Sequence, residues 1–188
     1  MSNQPRILIF GANGAIGSTA ARANPNGRTI LVEGDGGFAQ NLQEIGTVAV
    51  NKLNLKIFIF DDNGYASIRM TQKNYFPGAY IGCDINSGLG LPDWEQLFKA
   101  YRVPVLRINK GFEAQAEFDT LFNTNGPAAF IVTIDPEQSY FPKIMSRVTD
   151  SGTMESNPLH KMSPDLPEEI HRLTALPDDL VGVAQITS

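Results

Sequence analysis

Two stretches decide the fold: Thr29-Ile-Leu-Val-Glu-Gly-Asp-Gly-Gly37 and Lys56-Ile-Phe-Ile-Phe-Asp-Asp-Asn-Gly-Tyr65. Each opens on a short run of branched and aromatic residues, the composition of a strand buried on both faces. Each is stopped by glycine and aspartate. Between them, from Phe38 to about Leu53, the period changes, and Leu42, Ile45, Val48 and Leu53 fall close to one helical stripe. Strand, helix, strand with apolar strands is the pattern of a parallel sheet covered by helices.

The same alternation extends outward. Arg6-Ile-Leu-Ile-Phe10 reads as a strand, closed by the glycine loop Gly11-Ala-Asn-Gly-Ala-Ile-Gly17 and a helix over about 15–23. Asp93 to Tyr101 reads as a helix, with Pro92 and Asp93 as its start signals. Val103 to Ile108 is a strand whose Pro104 suggests an edge or early position. A helix from Glu113 to about Phe122 and a strand from Pro127 to Ile134 complete the series. The expectation is α/β: a doubly wound, mainly parallel sheet of about six strands with helices on both faces. Residues 1–150 form the binding domain in this reading. Residues 151–188 form a proline-rich tail that wraps the domain or a partner, with a short helix near Pro167 to Leu173.

Composition removes several classes of function. With 42% hydrophobic and 19% charged residues, 188 residues suffice for an ordinary core. One cysteine, Cys83, excludes a disulfide framework, and two histidines leave any metal to oxygen ligands. A net charge of -5 argues against a nucleic-acid partner. Neither a membrane span nor a secretory leader is evident, so a cytoplasmic protein is expected.

The chemistry concentrates where the two deciding strands end. In open α/β sheets ligands bind at the carboxyl ends of strands. Asp35 and Asp62 offer hard oxygens there, and the Gly64 carbonyl offers a third. Gly34, Gly36 and Gly37 let the backbone approach an anion, and the helix that follows would direct its first amides at it. Residue chemistry alone implies a site for magnesium and a diphosphate.

Gly34-Asp-Gly36, Asp62 twenty-seven positions after Asp35, and Gly64-Tyr65 together resemble the thiamine diphosphate motif of the acetolactate synthase and pyruvate decarboxylase superfamily. The likeness runs through Val32 to Glu44 and Gly64 to Gln72, where it is more like the acetolactate synthases. It extends to the tail segment Asn157 to Pro167. The resemblance implies thiamine diphosphate and Mg2+ as cofactors. It implies metal ligation by Asp35, Asp62 and the Gly64 carbonyl, and diphosphate contacts from the Gly36 and Gly37 amides. It also sets Tyr65 and Ile68 near the cofactor. It implies transferase or lyase chemistry on a 2-oxo acid: loss of carbon dioxide and capture of the remaining fragment by an acceptor. It further implies a dimer, or a partner chain carrying the pyrimidine-binding domain. The glutamate that activates the cofactor lies on that domain, and no residue of this chain is assigned its role.

The chain departs from the family at three points. The family usually has asparagine where Asp62 stands. One added negative charge ~5 Å from a diphosphate, at an effective dielectric of ~20, costs about 3 kcal/mol before screening, so weaker diphosphate binding is expected. No pyrimidine domain is expected within these 188 residues, and a compact Arg6–Gly17 replaces a longer glycine-rich stretch. That compact segment carries a second reading. Gly11-x-x-Gly14-x-x-Gly17 between two strands, with Glu33 closing the second, also resembles a Rossmann-type NAD(P)-binding oxidoreductase. A Tyr-x-x-x-Lys pair does not follow. A non-catalytic remnant is the third reading. Elsewhere, Trp94 and Phe98 read as core, Cys83 as a buried thiol, and Glu113 and Glu117 as a solvated face. His160 reads as part of a lid or as a solvated side chain.

Overall fold

The computed structural model describes residues 6–10, 14–139, 141–157 and 162–170. Five strands form one wholly parallel sheet: β1 (Arg6–Phe10), β2 (Arg28–Gly34), β3 (Leu55–Asp61), β4 (Val105–Ile108) and β5 (Ala128–Thr133). Their spatial order is β1-β2-β3-β5-β4. Among the described residues the sheet has five strands, consistent with the expected doubly wound sheet of about six, and each of the five was legible in the sequence. β4 is an edge strand that pairs only with β5, which suits Pro104 just before it.

Alternation along the strands builds two apolar layers. Leu31, Ile57, Ile59, Ala129 and Ile131 face one side. There they meet Phe38, Ile45 and Val48 from the segment after β2, and Trp94 and Phe98 from helix 94–100. Phe130, Ile108, Phe58, Leu106 and Val132 share the second cluster with Phe118, Leu121 and Phe122 from helix 116–123. Phe130 is fully buried and stacks on Phe58 at 4.8 Å between ring centroids.

The helices are α1 (Gly14–Ala23), α2 (Asp35–Phe38), α3 (Glu44–Val50), α4 (Ala66–Tyr75), α5 (Trp94–Ala100) and α6 (Ala116–Asn123). α5 starts as its signals indicated, with the Asp93 carboxylate accepting from the Gln96 amide at 2.9 Å. Three departures from the sequence reading matter. The single helix expected over 38–53 is a broken run, α2, a 3-10 turn over Ala39–Asn41, then α3, and it begins at Asp35. The helix expected from Glu113 opens as a 3-10 turn, Phe112–Ala114, before α6. Helix α4 was not anticipated. Its segment is polar, and Arg69 is its buried residue, so it carries no apolar stripe to read.

The chain separates into two units, Met1–Glu137, which holds the sheet, and Gln138–Ser188. The second has two short antiparallel pairs: β6 (Lys143–Ile144) with β9 (Met162–Ser163), and β7 (Ser146–Val148) with β8 (Met154–Ser156). Residues 168–170 are helical. The remainder of the expected 167–173 helix, Gly11 to Asn13 and His160 lie outside the described residues. No helix among the described residues is long and apolar enough to cross a membrane.

The packing yields one stability prediction. Phe130→Ala removes a buried ring that touches Phe58, Phe118 and Phe122, and is expected to cost about 3–5 kcal/mol. Urea unfolding measures this directly. A loss below about 1 kcal/mol would mean that the second layer is loosely packed.

Candidate functional site

The site forms where β2 and β3 end side by side. In their parallel register Gly34 stands opposite Phe60, so the loops that follow leave the same edge of the sheet together. Asp35 is the first residue of α2 and is 1% exposed. One carboxylate oxygen, Oδ1, accepts the Gly36 amide at 2.7 Å. The other, Oδ2, accepts the Gly64 amide at 3.1 Å. That second bond joins the loop after β3 to the loop after β2. Asp62 is also buried, and its Oδ1 is 3.1 Å from Nη2 of Arg69. The structure thus brings together Asp35, Gly36, Asp62 and Gly64.

Close packing holds these loops. A Cβ on Gly36 would stand 2.1 Å from Cδ1 of Tyr65, so the tyrosine ring lies directly against the glycine. A Cβ on Gly64 would stand 2.2 Å from the Cys83 carbonyl oxygen. The Tyr65 amide donates to that same oxygen at 2.8 Å. Cys83 is fully buried, as expected, with Sγ 3.3 Å from the Ser87 hydroxyl oxygen. Gly34 is exposed, and a side chain there would meet open space. Gly37 adjoins the Glu33 carboxylate. Ile68, 44% exposed on α4, lines an apolar groove of about 560 Å³ with Thr71, Phe76 and Ile81.

The electrostatics show what the site lacks. Asp61 pairs with Arg107 at 2.8 Å and Asp62 with Arg69, whereas the ion pairs among the described residues give Asp35 no cation. Burial, with the charge of Asp62 beside it, pushes the Asp35 carboxyl up to about 6. Burial also raises Asp62 and Glu33 above the ordinary carboxylate range. A buried carboxylate next to another, without its own cation, is a fitting place for a divalent ion with oxygen ligands. The described residues hold no cluster of three or more His, Cys, Asp or Glu side chains, so a cation here would complete its shell from backbone, water or ligand oxygens.

Arg69 is the site residue that the sequence reading missed. It sits in the unanticipated helix α4, seven positions after Asp62. The signal that finds it is a lone arginine in the turn after an acidic loop.

A parallel α/β sheet with an acidic, glycine-lined site at its carboxyl edge defines a class of ligand-binding domains. Residues 6–132 match the thiamine pyrophosphate enzyme C-terminal, TPP-binding domain. The chain belongs to that family and is acetolactate synthase-like; thiamine pyrophosphate is thiamine diphosphate, the family's cofactor, used with a divalent metal. It is 30% identical over 146 residues to acetolactate synthase isozyme 2 large subunit of Escherichia coli, covering 78% of this chain and 26% of that protein. It is 33% identical over 130 residues to the probable acetolactate synthase large subunit of Methanococcus aeolicus, covering 69% and 21%. In fold it is similar to benzoylformate decarboxylase from Polynucleobacter necessarius, with a TM-score of 0.59 at 17% identity, covering 73% of this chain and 32% of that one. The chain spans about a quarter of the curated relatives' length.

The Rossmann oxidoreductase reading finds no support. The matched region begins at Arg6, so β1 and the glycine segment fall within the thiamine family's own pattern. Gly17 sits in α1, where a Cβ would stand 2.9 Å from Cδ2 of Leu31. That glycine serves helix–strand packing.

The raised carboxyls predict a pH dependence. A proton held more tightly in the folded chain than in the unfolded one stabilises the fold at low pH, and that stabilisation is lost as pH rises through the folded value. Asp35, Glu33 and Asp62 all shift in this sense. Burial lowers Lys56 to about 8, above this window. The chain without added cation should therefore melt at a lower temperature at about pH 7 than at about pH 4.5. A thermal melt series across that range checks the sign, and a melting temperature that climbs with pH would contradict the assignment.

Proposed function

We propose that this chain supplies the diphosphate- and magnesium-binding half of a thiamine diphosphate-dependent active site acting on 2-oxo acids, with acetolactate synthase-like chemistry. The observation that carries the proposal is the buried Asp35, without an ion pair among the described residues and tied through the Gly64 amide to the loop that carries Asp62. In this reading Asp35, Asp62 and the Gly64 carbonyl hold the divalent ion. Gly34, Gly36 and Gly37 let the backbone come close to the diphosphate. The ring of Tyr65 and the side chain of Ile68 bound the space beside it.

Bound there, the cofactor supplies the carbon nucleophile and electron sink for decarboxylation and carboligation. This chain's residues bind and orient. Asp35 fixes the cation and the two loops at once. The apolar groove on α4 presents Ile68 beside this space. Turnover requires a pyrimidine-binding domain from another chain or another segment, and a homo-oligomer is the expected assembly. A cytoplasmic location goes with this reading.

Titration of thiamine diphosphate with and without Mg2+ tests the proposal. The melting temperature should rise only when both are present, stay unchanged with NAD or NADP, and fail to rise in Asp35→Ala. An Mg2+-independent rise, or an equal rise in Asp35→Ala, would refute the assigned ligands. Addition of a separately made pyrimidine domain should then release carbon dioxide from pyruvate, whereas the chain alone should release none.

A further inference from the structure

Arg69 has a geometry that the family resemblance did not assign. It is 7% exposed in the first turn of α4, behind the acidic loop. Its Nη2 donates to Asp62 Oδ1 at 3.1 Å, to the Asp62 carbonyl at 3.3 Å and to the Pro136 carbonyl at 3.0 Å. Its Nη1 lies 3.0 Å from where a Gly64 side chain would begin. The guanidinium thus braces Asp62 through its side chain and its carbonyl and lies beside Gly64. Of the neighbouring carboxylates, Asp84 also feels the Arg69 charge, whereas Asp61 does not compete for it. Asp61 is held by Arg107, whose Nη2 also reaches Glu95 at 2.9 Å.

An unpaired aspartate at 62 would repel a nearby diphosphate strongly, by about a hundredfold in affinity at a separation of ~5 Å. A guanidinium bonded to the same carboxylate turns that charge into a compact dipole, whose field falls off faster than that of a lone charge. We propose that Arg69 is a positioning residue that makes aspartate workable at 62: it cancels the charge of Asp62 toward the diphosphate and fixes the 62–64 loop. This inference rests on the proposed magnesium–diphosphate site. It adds that the aspartate and the arginine act as one unit.

A double-mutant cycle tests it. Magnesium-dependent thiamine diphosphate affinity is measured by calorimetry for the parent chain, Asp62→Asn, Arg69→Gln and the double variant. Arg69→Gln should weaken binding about tenfold or more, and adding Asp62→Asn to it should restore affinity to within about threefold of the parent. A merely structural arginine would instead lose the same affinity in both backgrounds, a coupling below about twofold, and that result overturns the inference while the site stands. Asp62→Asn alone keeps the side-chain shape and guards against a misfolded Arg69 variant. A gain of about tenfold or more in that variant would show that Arg69 does not mask the charge. If the parent chain binds nothing, the proposed function and this inference fall together.

Discussion

The parallel pairing of β2 with β3 is the constraint on which the site depends. Gly34 lies opposite Phe60, so Asp35 and the Asp61–Gly64 loop emerge from adjacent strands at the same height. Parallel strands put successive carboxyl ends on one edge, and that alone brings two aspartates twenty-seven positions apart side by side. Register is strictly set here, because a slip of one residue would turn Ile57 and Ile59 out of one apolar layer and Phe58 out of the other. Core packing thus fixes the loops to a fraction of a residue. The Gly64 amide on Asp35 Oδ2 closes the arrangement.

Most of the fold was legible because the strands are nearly continuous apolar runs, bounded by residues that cannot extend them. The five observed strands lie where Ile-, Val- and Phe-rich segments predicted them. Helices were harder. α4 is held by one buried arginine and by its neighbours, a tertiary cause that leaves no periodic trace. The run after β2 begins at Asp35 because two glycines can enter a helical turn there without displacing Tyr65 or Glu33. The convergence of Asp35, Gly36, Asp62 and Gly64 at one sheet edge was legible, since strand ends and turns draw on a few residue types. It was not legible in its contacts. Nothing in the sequence says that Tyr65 lies on Gly36, or that the Gly64 backbone runs against Cys83.

Two aspartates stand side by side at 61 and 62, and sequence alone gives no physical reason to separate their roles. The structure separates them by direction. Asp61 ends β3 and is reached from β4 by Arg107, which crosses β5, bonding Thr133 at 3.1 Å on the way and anchoring on Glu95 of α5. That network ties three strands and a helix at one corner, and it uses up the Asp61 charge in doing so. Asp62, one residue on, turns the other way along the chain and meets Arg69.

The result is a graded distribution of charge. Of the four carboxylates at this edge, Asp61 and Asp62 have guanidinium partners, whereas among the described residues Glu33 and the most buried, Asp35, have no ion pair, and Asp35 is held by backbone amides. Amides stabilise a carboxylate through dipoles, and their field does not neutralise a full charge held out of water. The unmatched charge therefore lies on Asp35 and Glu33, on either side of Gly34. A fold that spends arginines on Asp61 and Asp62 leaves Asp35 without an ion pair among the described residues, which is the charge that the proposed divalent ion would balance.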